Sequence, residues 1–288
     1  MRMMPDREAM VRLVQMALAE DAPWGDVTSQ SLIAESTRVT AQLAAREDGV
    51  LCGEDLFALA MSGLTTEFSV HDGESFSKGD VLATVEGPAR AVLQAERVAL
   101  NFVQRLSGIA TLTAQYVAAA AGTKARIVDT RKTTPGLRVV ERYAVRCGGG
   151  HNHRFSLSDA VLAKDNHLAL VTGDLTAALQ AARASLPHTT HIEVEVDRLD
   201  QIEAVLAARV DTIMLDNFSL EDLRAGVAQV AGRALIEASG GVTLEQIAAI
   251  AATGVDLISV GALTHSVRAL DLGLDIAVGS EHSAPVLG

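Results

Sequence analysis

The 288-residue chain is poor in cysteine and in aromatics, with two cysteines, one tryptophan, two tyrosines and six phenylalanines. Cys52 and Cys147 are only two and have no C-x-x-C spacing, which fits reduced thiols in a cytosol better than a disulfide framework. No stretch approaches the roughly 20 uninterrupted apolar residues that cross a bilayer. Residues 1–10 carry Arg2, Asp6, Arg7 and Glu8 but no apolar h-region, so no secretory signal is expected. Basic charge is in deficit, 24 side chains against 36 acidic ones for a net charge of -12, which argues against broad binding to nucleic acid or anionic membranes. Lysine is scarcest: Lys78, Lys124, Lys132 and Lys164 stand beside twenty arginines. What remains is a chain 49% hydrophobic, long enough for one large or two modest domains with a sizeable core. A soluble, cytoplasmic protein is expected.

The scarce positive charge is concentrated. Between Lys124 and Arg154 lie eight basic residues and two histidines, His151 and His153, against two acids, Asp129 and Glu141. A basic island in an acidic protein suggests an anionic ligand. For Arg138, Arg142 and Arg146, spaced by four, a solvated helix face serves as well.

Periodicity gives the organisation. Apolar residues at Met10, Leu13, Val14, Ala17 and Leu18 predict an amphipathic helix over 8–19. Strands are expected at 39–45, 68–70 and 81–85, and a long helical pattern over 91–120 with Gly108 as a break. Thereafter short β-branched runs recur at 126–129, 160–163, 191–196, 211–215, 234–238 and 256–260, each but the last followed by a helical stretch. Ser219 with Asp222, and Thr243 with Gln246, give helix-start signals directly after strands. Such alternation implies a parallel sheet. A full eight-unit barrel needs about 250 residues, so the expected fold is α/β, an incomplete β/α barrel of about six units. An N-terminal α/β sandwich domain is expected over 1–110, joined by the tail 268–288 and placed to close over the mouth of a barrel domain at 111–267.

Every barrel strand ends in chemistry. Arg131 and Lys132, Lys164, Glu195, Asp216, Ser239-Gly240-Gly241 and Gly261-Ala262 all fall at strand ends, which a barrel gathers on one face. The glycine pairs would free backbone amides for a phosphate, although Gly after a strand is also an ordinary turn. Glu195 and Asp216, on adjacent strands, are expected side by side, where they would hold magnesium, bind ribose hydroxyls or stabilise developing positive charge. The alternative is an ion pair with Lys132 or Lys164. Glu193 is expected to point away and to be structural. Arg131, Lys132, Arg154 and Lys164 complete a cationic wall suited to a phosphate-bearing, metal-chelated polyanion and a second anionic reactant. His151-x-His153 is weak as a zinc site without a third soft ligand. Lys164 as a Schiff-base lysine would make the chain an aldolase instead, and a catalytically silent binding protein needs affinity alone.

The motifs DTRKTTPGLR at 129–138, YAVRCGGGHNHR at 143–154 and KDNH at 164–167 resemble the quinolinate phosphoribosyltransferase family. EVEV at 193–196, MLDN at 214–217, EASGG at 237–241 and GALTHS at 261–266 continue the resemblance in order. It implies a homodimer in which quinolinate and phosphoribosyl pyrophosphate (PRPP) react with Mg2+ to give nicotinate mononucleotide, pyrophosphate and carbon dioxide in NAD biosynthesis. It also implies that Arg131, His153, Arg154 and Lys164 grip the quinolinate carboxylates, with Arg97 donated by the partner subunit. Lys132 would act near the reacting centre or the pyrophosphate. Glu195 and Asp216 would serve ribose, metal and forming cation, and Ser239, Gly240 and Gly261 the 5'-phosphate. Arg105 and His265 also lie in family-like motifs. A related family associated with molybdate transport shares the fold, but the intact arginine, lysine and histidine positions favour the transferase. Nicotinate, with one carboxylate, would not require so many cations.

Overall fold

The computed structural model describes residues 5–277. They form two compact units, one of 5–111, 135–148 and the segment from 267, the other of 112–134 and 149–266. Of the tail 268–288, residues 278–288 lie outside the described part.

The first unit opens with α1 (Arg7–Asp21), started by Asp6, whose carboxylate accepts the Ala9 N–H at 3.1 Å. Its apolar stripe buries Met10 and Val14. Asp26 caps α2 (Val27–Leu32) in the same way. There follow β1 (Arg38–Ala45), β2 (Gly49–Val50), α3 (Glu54–Ala60), β3 (Thr65–Phe68), β4 (Ser75–Phe76) and β5 (Val81–Pro88). β1 pairs antiparallel with β5, and β5 with β3. The strand expected at 68–70 thus lies a few residues earlier, at Thr65–Phe68.

α4 (Ala89–Ala119) is a single helix of 31 residues, not broken at Gly108. A Cβ at Gly108 would stand 2.2 Å from the Arg268 carbonyl oxygen. The glycine therefore serves a close backbone approach rather than a break.

The second unit is built on β6 (Arg126–Val128). α5 (Arg138–Cys147), which follows in sequence, packs in the first unit and leaves Arg138, Arg142 and Arg146 half-buried. The Cys147 and Cys52 thiols are buried there and form no disulfide. The barrel continues with β7 (Val161–Ala163), α6 (Asp165–Leu168), α7 (Leu175–Ser185), β8 (Ile192–Val196), α8 (Ile202–Ala207) and β9 (Thr212–Asp216). α9 (Leu220–Val230), β10 (Leu235–Ser239), α10 (Ile247–Ala251), β11 (Leu257–Ser259) and α11 (Ala262–His265) complete it. The last strand, β12 (Leu272–Ala277), pairs antiparallel with β1 in the first unit's sheet.

The six parallel strands run β6-β11-β10-β9-β8-β7. The last barrel strand therefore closes on the first, and the opening lies between β6 and β7. There His151 lines the free edge of β6: its N–H donates to Ile127 O at 2.8 Å, and Asp129 N–H donates to its carbonyl at 3.1 Å. The barrel is incomplete, as expected.

Strand parity sets which residues meet the helices. Ile192, Val194 and Val196, then Ile213 and Leu215, then Ile236 and Ala238 are all buried. Leu215 faces α9, where a Cβ at Gly226 would come within 2.8 Å of its Cδ1. Each Ile, Val or Leu among them contributes roughly 1.5–3 kcal/mol by leaving water. The opposite parity carries Glu193 and Glu195 on β8, Met214 and Asp216 on β9, and Glu237 and Ser239 on β10, so polar groups fill the barrel's inside.

Candidate active site

At the end of β7, Lys164 Nζ lies 2.5 Å from Glu195 Oε2 on β8. The lysine side chain is about half exposed and the glutamate one-tenth exposed, so the pair sits where the barrel interior meets solvent. Glu195 pairs in register with Met214, and Asp216 with Ser239. Glu195 and Asp216 thus share a face but occupy successive levels, Asp216 nearer the rim. The side-by-side placement expected from sequence is off by one layer, because the parallel register sets Glu195 two positions deeper than Asp216.

Glu193 also corrects the sequence reading. Residues i and i+2 of a strand point the same way, so Glu193 shares the inward face with Glu195 instead of opposing it. Its Oε2 lies 2.9 Å from His153 Nε2, and Glu237 Oε2 lies 3.6 Å from the same nitrogen. Sequence reasoning left Glu237 unassigned. Its parity with Ser239 was the signal, since both must face the interior.

The loop after His151 is fixed by Asp129, which is fully buried. Its Oδ1 accepts the His153 N–H at 2.7 Å and its Oδ2 accepts Asn152 Nδ2 at 2.6 Å. His153 Nδ1 accepts the Arg154 N–H at 2.8 Å, and Arg154 Nη1 donates to Ala160 O at 2.8 Å. Burial and the neighbouring Arg131 guanidinium lower the pKa of Arg154, which records two cations held against each other.

The opposite part of the rim holds the glycine turns. Gly240 has φ of +101°, and a Cβ there would meet Asn217 Oδ1 at 2.2 Å and Asn217 N at 2.7 Å. Asn217 N–H donates to Ser239 O, and its Nδ2 donates to Asp216 Oδ2 at 2.6 Å. Asn217 thereby ties the Asp216 carboxylate to the Ser239-Gly240 turn. A Cβ at Gly261 would lie 3.1 Å from Lys132 Cδ and 3.0 Å from His265 Nε2. The Lys132 stem therefore runs across Gly261, with the Lys132 carbonyl accepting Thr264 Oγ1 at 2.8 Å.

The second unit thus gathers three groupings at its strand ends: Lys164 with Glu195, the Arg131–Arg154 loops over His153, and Lys132 on Gly261. Arg97 is exposed on α4 and belongs to the first unit. Arg105, also in the first unit, pairs with the fully buried Glu141 at 2.9 Å, a structural contact there.

Comparison with known proteins identifies the family of the chain. The quinolinate phosphoribosyl transferase C-terminal domain family matches residues 109–275, and the N-terminal domain family of the same name matches 26–107. The chain is 47% identical over 273 residues to the nicotinate-nucleotide pyrophosphorylase [carboxylating] of Mycobacterium leprae, covering 91% of this chain and 95% of that protein. It is 42% identical over 287 residues to quinolinate phosphoribosyltransferase [decarboxylating] 1b of Nicotiana tabacum, covering 92% and 81%. The solved nicotinate-nucleotide pyrophosphorylase from Francisella tularensis superposes with a TM-score of 0.89 at 39% identity, covering 94% and 97%.

Proposed function

The chain belongs to the quinolinate phosphoribosyltransferase family, and from that premise we infer that its barrel mouth transfers the phosphoribosyl group of PRPP to quinolinate with decarboxylation, a step of NAD synthesis. The products are nicotinate mononucleotide, pyrophosphate and carbon dioxide. The observation that carries the assignment to this site is the Lys164–Glu195 pair, a cation beside a carboxylate at the ends of adjacent strands.

Quinolinate is a dianion, and Arg131, Arg154 and Lys164 supply the positive wall for its carboxylates, with His153 in the same loop. Binding a carboxylate at Lys164 would draw the ammonium from Glu195 and leave that carboxylate facing the ribose. As pyrophosphate departs, the anomeric carbon gains oxocarbenium character, which Glu195 and Asp216 stabilise while the pyridine nitrogen attacks. The resulting pyridinium holds the electron pair of the breaking ring–carboxylate bond, carbon dioxide leaves, and a solvent-derived proton takes its place. No redox cofactor is consumed. Ser239, Gly240 and Gly261 would meet the 5'-phosphate through turn amides, and Lys132 would reach the reacting centre or the pyrophosphate from its seat on Gly261.

Magnesium fits the donor set at Glu195 and Asp216. Two hard carboxylates on one face would suit a small hard cation that keeps further oxygen ligands from water and the diphosphate. Bound there, it would neutralise the leaving pyrophosphate. A cytoplasmic homodimer in which Arg97 reaches the partner's site completes the reading. No helix among the described residues is long and apolar enough to cross a membrane.

Incubation of the purified protein with quinolinate, PRPP and Mg2+ tests the activity. Equimolar pyrophosphate and carbon dioxide, each dependent on both substrates, are expected. Absence of both products, or borohydride trapping of a carbonyl compound on Lys164, would overturn it.

A further inference from the structure

His153 stands where two hydrogen bonds cross. Its Nδ1 accepts the Arg154 main-chain N–H at 2.8 Å. A nitrogen that accepts carries no proton, so the ring's own proton sits on Nε2, 2.9 Å from Glu193 Oε2 and 3.6 Å from Glu237 Oε2. Burial opposes a second proton on this ring, but the hydrogen bond to Glu193 and the charges of Glu237, Glu193 and Asp129 outweigh it and raise the His153 pKa above the ordinary imidazole value. The nitrogen left for it is Nδ1, where the Arg154 N–H already stands, so a second proton there would have to break that main-chain hydrogen bond.

The two glutamates are 3% and 1% exposed, and their near oxygens and Nε2 lie within 4.8 Å of one another. Carboxyl groups this close in a dry interior cannot both ionise cheaply. Burial first, then the Glu193 charge, pushes Glu237 up to about 8, so it keeps its proton at neutral pH. Glu193 Oε2, the nearer of the two carboxylate oxygens, is the acceptor that receives the His153 Nε2–H.

This chain of contacts ends where force is needed. Arg154 is held near Arg131 against like-charge repulsion, in a loop whose backbone must not drift outward. Building on the function inferred above, we propose that Glu193 and Glu237 are positioning residues for quinolinate: they orient the His153 ring through Nε2, so that Nδ1 pins the Arg154 main chain at the barrel mouth. His153 then acts on the substrate mainly by placing Arg154. Neither glutamate touches substrate.

Three measurements test this. In uniformly 15N-labelled wild-type protein at neutral pH, His153 is expected to show the neutral Nε2–H tautomer; an imidazolium or Nδ1–H signature would overturn the proposal without any variant. Glu193→Ala is expected to raise the KM for quinolinate by about tenfold to a hundredfold with the KM for PRPP changed much less, and Glu193→Gln, whose amide oxygen still accepts Nε2–H, should recover most of it. Equal changes in both KM values, or no rescue by glutamine in a variant that melts like wild type, would overturn it. Elemental analysis of the purified protein is expected to find no stoichiometric zinc, manganese or iron; one such ion per chain, lost in Glu237→Gln, would make the cluster a metal site instead. Wild-type turnover of quinolinate is scored separately. Its absence fails the inferred function, whereas turnover with an unaltered quinolinate KM in Glu193→Ala fails the positioning role alone.

Discussion

Lys164 and Glu195 pair at 2.5 Å, and in the proposed reaction the pair would separate when the quinolinate carboxylate binds, so each proposed role depends on the other. On that proposal, removing Glu195 would leave the forming cation without its deep carboxylate, and removing Lys132 would empty the side of the site that runs over Gly261. Glu195→Ala and Lys132→Ala are each expected to lower turnover by about a hundredfold or more, measured as pyrophosphate release at saturating substrates. Near-normal turnover would remove that residue from its role. Glu237 makes a different prediction. Burial and the neighbouring Glu193 hold its native carboxyl up at about 8, against an ordinary 4.5 in the unfolded chain, so between those pH values the native state binds more protons than the unfolded. Stability therefore falls as pH rises through this window. Urea unfolding at pH 5 and pH 8 is expected to show a smaller drop in Glu237→Gln than in wild type, and equal drops would refute the assignment. The error over Glu193 belongs to this scale too. A residue's face follows from parity, and Glu193 shares its parity with Glu195, so the inward acids were legible once the alternation was counted correctly.

Among elements, the barrel strands were legible because each is a short β-branched run bounded by turn chemistry. Their predicted spans fall within a residue or two of β6 to β11. Long-range information was not legible. Gly108 reads locally as a helix break, yet α4 runs through it, because what selects glycine there is the Arg268 carbonyl, 160 positions away in sequence. Since the obstacle is backbone, Gly108→Ala must displace either the helix or the 267–272 segment. The gain in helix propensity is under about 1 kcal/mol and overpacking costs about 1–3 kcal/mol, so a net loss of stability is expected. A raised or unchanged midpoint in urea would show that the approach is not needed. The layer offset between Glu195 and Asp216 was hidden for a similar reason: register between parallel strands depends on pairing that no single strand encodes.

For the whole molecule, the proposed crossing of Arg97 between subunits has a clean signature. Arg97→Ala and Lys132→Ala proteins, each impaired, are mixed after dissociation and allowed to reassociate. If Arg97 serves the partner's site, half the dimers are mixed and each of those carries one intact site, so activity should return to about a quarter of wild type. No recovery, with mixed dimers demonstrated by mass spectrometry, would place Arg97 within its own subunit's site or outside the site altogether. The pairing of β12 with β1 bears on how the protein is made. Ala45 and its partner Leu272 are 227 positions apart in the chain. At about 5–20 residues per second of synthesis, one edge of β1 waits roughly 10 to 45 s on the ribosome for its neighbour. Through that interval the nascent sheet presents an unpaired edge, the feature that invites intermolecular pairing, so the yield of this enzyme in a cell should depend on how well chaperones shield one early strand until the chain has nearly been translated.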